Sequence, residues 1–358
     1  MIVHISLMVI IILLNLIPNK YIDRKNKILP LSFILIAVYF AIRYNYGLDF
    51  WRYYEAFNSS REDYFGTEIL FYKLLHLFPY YYQFIICYSV IVIGSLYYMV
   101  RRYVKEEFYA VFFLLFFCMN GMSFNMLSAY RTTIAACIIW WGIDLFYFRR
   151  KNIVLFILTA FIAALFHNSA IVFTVLPFLL YVIHKIDWKI AFVGLIIANF
   201  LSMVSAIDLF QWITASNDYL SEYAEHKSNI ENASLFGVIH KSIWYIPAFF
   251  VLKNKKLIER SSPKPVYSLS YVYFFLFFFG LTFQERFTVY LFIFTVIALS
   301  TVYTRLSSDN RRHIVLSLLF LCIYGLYLYY GMMERHIIGK YAEGNYLFYH
   351  TIFEQPFI

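Results

Sequence analysis

Arg43, Asp49, Arg131, His167 and the adjacent pair Glu285 and Arg286 each stand at the edge of an apolar segment. A charged group at membrane depth costs about 2.5–3.5 kcal/mol to insert, so such groups are kept where they bind or react. Their types divide the chemistry. A carboxylate such as Asp49, or an imidazole such as His167, suits proton abstraction from a hydroxyl. The guanidinium forks of Arg43, Arg131 and Arg286 suit phosphate or diphosphate oxygens. Gathered near one membrane face, the two kinds of group suit an enzyme acting on a lipid-attached polar substrate.

Each position also has a plainer reading. In GLDFWRYY (47–54) Gly47 permits a tight turn, and Asp49 and Tyr53 share a helical face at i, i+4. Arg52 offers Asp49 a local ion pair instead. In LSAYRTT (127–133) Arg131 either recognises phosphate or snorkels to the headgroups. In AALFHNSA (163–170) His167 interrupts a long apolar run, as a structural polar residue or a proton carrier. In FQERFTVY (283–290) Glu285 and Arg286 point about 100° apart on a helix and need not pair with each other. Asp144, close to Arg149 and Arg150, reads as a structural ion pair. No carboxylate cluster has metal-ligand character, so neither a metal nor a cofactor is expected.

The elements that must position these groups follow from composition. Of 358 residues, 62% are hydrophobic and 14% charged, with mean hydropathy +0.66; a soluble chain carries about 25% charge. Apolar segments recur at 1–17, 28–43, 81–100, 107–125, 126–148, 152–166, 168–184, 189–207, 236–252, 266–283, 286–304 and 313–331. The fold class expected is therefore an all-α polytopic membrane protein, a single integral membrane domain over 1–358 with about 10–12 transmembrane helices. The N-terminal segment lacks a basic start and a small-residue cleavage site, and reads as a retained helix.

Alternating the spans sorts the loops into two sets. One set holds 20 Lys/Arg against 6 Asp/Glu, the other 10 against 14. The positive-inside rule assigns the first set to the cytoplasm. The net charge of +9 is thereby topological, which argues against a nucleic-acid partner. The outer set comprises 44–80 with a surface-helix stretch EILFYKLLHLF, the acidic loop 208–235, and the tail 332–358. The 34 Tyr and 40 Phe suit interfacial belts and lipid-facing surface. The four cysteines lie inside apolar runs without CxxC spacing, so neither a disulfide framework nor a zinc site is indicated. Walker A, GxSxG, HExxH and GxGxxG motifs are missing, which removes motif support for ATP, serine-hydrolase, zinc-protease and dinucleotide chemistry.

In order along the chain, Arg43, GLDFWRYY, GTEILFYKLL, YRTTIAA, LFHNSA, ERFTVY and a Tyr-rich tail resemble the pattern of the EpsG-like and Wzy-type (O-antigen) polysaccharide polymerases of bacterial envelopes. That pattern has an Arg, then G-T-D-[YF]-x-x-Y, a glutamate-bearing stretch, R-x-x-x-A, L-F-H-x-[ST]-A, and an Arg near a later Tyr. The matching positions are Arg43, Gly47, Asp49, Tyr53, Glu68, Arg131, His167, Arg286, Tyr290, Tyr346 and Tyr349. Leu48 stands where the family commonly has Thr, which leaves no hydroxyl there.

The resemblance implies a glycosyltransferase of the bacterial inner membrane with a periplasmic active face. It would join oligosaccharide repeat units carried on undecaprenyl diphosphate within the lipid bilayer, with a chain-length regulator protein as a separate partner. Substrate binding would fall to Arg43, Tyr53, Glu68, Arg131, Glu285, Arg286, Tyr290 and Tyr346. The base would be Asp49 or His167, with Asp49 slightly favoured. A lipid-linked oligosaccharide flippase and an O-antigen ligase are the alternatives. Polar groups near one face, rather than along a central path, count against transport.

Overall fold

The computed structural model describes residues 2–18, 20–44, 46–47, 49–59, 66–119, 122–204, 242, 244–279, 284–305 and 350–351. Helix dominates them, as the apolar runs require: the chain is all-α. In order come α1 (Ile2–Leu16), α2 (Leu29–Ala41), α3 (Phe50–Asn58), α4 (Ile69–Leu75), α5 (Tyr81–Tyr103), α6 (Tyr109–Cys118), α7 (Met122–Ser128), α8 (Tyr130–Gly142), α9 (Ile153–Ala164), α10 (Leu176–Ile183) and α11 (Trp188–Val204). Beyond them lie helices Tyr245–Lys253, Lys255–Ser261, Pro265–Phe279 and Gln284–Arg305. Among the described residues the strands are β1 (Arg43–Tyr44) and β2 (His350–Thr351), an antiparallel pair with Arg43 opposite Thr351. Part of the tail thus returns to the end of α2.

The chain packs as two compact units, Met1–Pro177 with Tyr303–Ile358, and Phe178–Val302. In the first unit α2 lies along α5, α1 along α6, and α8 contacts both α5 and α9. Gly142 lets α8 approach α9 closely, because a Cβ there would stand 2.7 Å from Thr159 Cγ2. In the second unit α11 packs on Pro265–Phe279 and Tyr245–Lys253. Helices Tyr81–Tyr103 and Phe287–Arg305 are long and apolar enough to cross a membrane, and several others are apolar but shorter. Large apolar side chains such as Leu13, Val154, Phe178 and Ile190 are exposed. A lipid solvent makes that surface acceptable, and close packing with hydrogen bonds then holds helix to helix.

The long run 152–184 divides at His167, as its polar residues suggest. Asn152 caps α9 by accepting the Leu155 N–H at 3.0 Å. Beyond His167 the chain turns into a 3-10 helix, Asn168–Val175, that packs back against α9. The expected junction between 107–125 and 126–148 differs. α7 bridges it, and the helical break falls at Ala129 (φ −89°, ψ 72°). No Gly or Pro marks Ala129; the break lies where Gly47 approaches Leu127 and Ser128 and the Asp49 N–H donates to Ser128 Oγ.

At its other end α8 continues as a π-helix, Ile143–Arg149, carrying fully buried Asp144. Tyr98 donates to this carboxylate at 2.5 Å, and Tyr103 donates to its other oxygen. Arg149 pairs with it at 2.7 Å and Arg102 at 3.1 Å. The expected Arg149 partner is present. Arg150 instead lies over the Phe146 ring, 5.8 Å from its centroid.

Candidate functional site: a Glu68, Arg131 and His167 cluster

Three distant segments of the first unit meet at Glu68. The residue stands just before α4, at its N-cap, yet its carboxylate makes no cap hydrogen bond. It turns to the α9 hairpin instead. His167 Nδ1 lies 2.6 Å from Oε1, the Asn168 N–H donates to the same oxygen at 3.1 Å, and Arg131 forms an ion pair with Oε2. Two further bonds fix the register: Thr67 Oγ1 to Asn168 Oδ1 at 2.7 Å, and Leu70 N–H to Leu165 O at 3.1 Å. Glu68 is 2% exposed, and the side chains of His167 and Arg131 are 5% and 12% exposed.

Burial pushes the Glu68 carboxyl up, but the His167 hydrogen bond, the nearby Arg131 and His167 charges and the Asn168 amide together hold it below its usual range. Glu68 is therefore a carboxylate at neutral pH. When the His167 ring is neutral, the Nδ1–H given to that carboxylate leaves its lone pair on Nε2. The arrangement is a carboxylate-oriented imidazole beside a guanidinium, able to accept a proton and to stabilise an anion.

The arginines are spaced by aromatic rings. Gly47 has φ +112°, and a Cβ on it would lie 3.1 Å from Leu127 O, so a tight turn and a close approach both select glycine there. The Asp49 N–H donates to Ser128 Oγ at 3.2 Å. These contacts set α3 against the start of α8, where Tyr53 stacks on Tyr130 with centroids 4.6 Å apart. The Arg131 guanidinium lies 5.9 Å from the Tyr53 centroid. Burial pushes the Tyr53 phenol up to about 12, so it serves as a hydrogen-bonding group and not as a base. Asp49 opens α3 one turn before Tyr53, on the face expected, and its charge acts on that phenol.

Arg43 is fully buried and also lies against Tyr130. Its guanidinium lies 5.1 Å from the Tyr130 centroid, 5.4 Å from Tyr88 and 5.5 Å from Phe40, and it donates to Phe40 O. Each distance is within cation–π range.

The structure therefore brings together Glu68, Arg131, His167 and Tyr53, with Asp49 adjoining and Arg43 against Tyr130. Tyr290 is fully buried on Gln284–Arg305 in the second unit. Glu285 and Arg286 occupy the first turn of that helix. Their side chains, Tyr346, the loop 208–235 and the segment 313–331 lie outside the described residues. Thr67 and Tyr130 escaped the sequence reading, and Asn168 entered it only as a break, with His167, in the apolar run. A polar Thr–Glu pair signalled Thr67 and a polar His–Asn pair Asn168; nothing separated Tyr130 from the other tyrosines. Among the described residues no group of three or more His, Cys, Asp or Glu side chains forms a metal-binding cluster.

Comparison with known proteins gives one match: the model of a family described as EpsG family aligns with residues 26–349. No curated protein and no solved structure matches the sequence.

Proposed function

The chain belongs to the EpsG family, membrane proteins of polysaccharide biosynthesis, and from that premise we propose that it polymerises oligosaccharide repeat units carried on undecaprenyl diphosphate. The observation that carries the reading is the His167–Glu68–Arg131 cluster, which joins a base to a diphosphate-binding cation. The acceptor is a sugar hydroxyl of one lipid-linked unit; the donor is the glycan on the other. As the hydroxyl oxygen bonds to the anomeric carbon, His167 Nε2 takes the hydroxyl proton. The bond from that carbon to the diphosphate oxygen breaks, and the leaving diphosphate keeps the electron pair. Arg131 neutralises its growing charge. Glu68 holds the imidazole in its reactive tautomer, and its negative charge favours the imidazolium that forms.

We assign the base to His167 in preference to Asp49 because His167 has a buried orienting partner. Asp49 and Tyr53 are assigned to the acceptor sugar. Glu285, Arg286, Tyr290 and Tyr346 remain proposed binding residues, and Arg43 supports Arg131 through Tyr130. The enzyme is multi-pass in the inner membrane, with both termini and the active face periplasmic. Helix α9 has 12 residues and rises roughly 18 Å, whereas a hydrocarbon core is about 30 Å thick. In this topology the hairpin tip with His167 sits below the outer surface, within reach of a lipid diphosphate.

The test is the surface-polysaccharide ladder of a strain lacking the gene. A lost ladder with a surviving single-unit band, restored by the intact gene but not by His167→Ala at equal expression, is the expected result. Loss of the single-unit band as well would replace the reading with a flippase or ligase. An unaltered ladder would end it.

A further inference from the structure

The second unit contains a basic cleft that plays no part in this chemistry. A cavity of about 730 Å³ opens where α10 ends, α11 begins and Tyr245–Lys253 passes into Lys255–Ser261. Five cations line it, Lys185, Lys253, Lys255, Lys256 and Arg260, against a single lining carboxylate, Asp187. Asp187 Oδ1 is engaged locally, accepting the Lys189 N–H at 2.9 Å. Lys255 is also held, donating to His184 O at 2.5 Å, and Lys185 donates to Tyr181 Oη at 2.8 Å. Lys253, Lys256 and Arg260 are exposed. Lys256 and Arg260 stand at i, i+4 on one short helix, where like charges repel. An anion relieves that repulsion.

The surface leading away from the cleft says what carries the anion. On α11, Ile190, Val193, Ile197 and Phe200 form one stripe at i, i+3, i+7 and i+10, with exposures from 52% to 67%. On α10, Phe178, Tyr181 and Val182 are likewise exposed. Both helices meet the cleft at their 183–188 ends, so the apolar surface begins at the cavity. From Trp188 to Phe200 the stripe extends roughly 18 Å, the scale of one membrane leaflet.

We propose that this cleft is a binding site for an anionic phospholipid, with its phosphate among Lys253, Lys256 and Arg260 and its acyl chains along α10 and α11. A basic recess directly continuous with lipid-facing apolar surface matches a phosphate attached to hydrocarbon, and a soluble anion would leave the stripe unused.

The full-length protein in phosphatidylcholine nanodiscs, titrated with phosphatidylglycerol and read by native mass spectrometry, tests this. The wild type binds phosphatidylglycerol in preference to phosphatidylcholine. Lys253→Gln/Lys256→Gln/Arg260→Gln weakens that binding about tenfold or more, because each basic residue near an anionic surface contributes several-fold. The charge-keeping Lys253→Arg/Lys256→Arg variant retains it, and the exposed single Lys256→Gln reports a several-fold loss should the triple variant fold poorly. Equal binding of the two lipids, or equal retention by the Gln variants, overturns the proposal. Competition by inorganic phosphate as effective as that by phosphatidylglycerol would reassign the cleft to a free anion.

Discussion

Glu68 and Asp144 are both buried carboxylates paired with arginine, yet their surroundings are built differently. Asp144 is gripped by two tyrosine hydroxyls and by Arg102 and Arg149, whose side chains are 40% and 38% exposed. Both of its oxygens are tied to groups that stay protonated near neutral pH. Glu68 binds the half-buried Arg131, a backbone amide and an imidazole. One of those partners can exchange a proton, and all come from other parts of the chain. Asp144 therefore acts as a clamp between the ends of α5 and α8, whereas Glu68 orients a group that can react. Burial of a charge alone does not separate the two cases; the chemical type of its partners does.

The sharpest way to break this contrast is to remove the exchangeable partner. His167→Ala is expected to lower polymerisation per folded molecule on lipid-linked units by about 10²–10⁴-fold, the usual contribution of a positioned base, beyond a destabilisation of about 1–3 kcal/mol from leaving Glu68 one partner short. A fall below about threefold would return the base to Asp49. Next comes the clamp. Asp144→Asn strips two arginines of their charge partner and is expected to destabilise by about 3 kcal/mol, at the low end for buried pairs because both arginines reach solvent. Activity per folded molecule should stay within about twofold. A large loss of rate with unchanged stability would make the two sites alike.

The smallest effect concerns pH. The folded-state Glu68 carboxyl lies below its ordinary range, so its contribution is present above that range and fades as pH falls through the folded value. Melting curves of detergent-solubilised protein between about pH 6 and pH 3 should show this loss, and Glu68→Gln should flatten it. An identical slope in the variant would mean that the cluster adds no acid-sensitive stability.

Most members of the site were visible as residue types. Arg131 and His167 stand out because charge interrupts apolar sequence, and Gly47 because a turn was needed beside Asp49. Their connections were not visible. Glu68 and His167 lie 99 positions apart, and no local pattern tells a carboxylate which distant imidazole it will meet. Asp49 consequently looked slightly the better base, because its loop was placed to shape an acceptor pocket. Arg102 as a partner of Asp144 was hidden for the same reason, and the Ala129 break because its cause lies in another segment. Helical class and the division at His167 were legible because hydropathy and interrupting polar residues are local signals.

The assembly of Glu68 from three parts of the chain also bears on biogenesis. Chain order delivers Glu68 first, then Arg131, and the hairpin tip with His167 last. Until Asn168 and His167 arrive, Glu68 has only part of its hydrogen-bonding set, and an incompletely paired charge near lipid is unfavourable. Insertion of residues 153–175 completes that set. The cluster proposed to react and the mark of a correctly assembled first unit are then the same handful of atoms, so a chain that has not finished folding has not yet built the site.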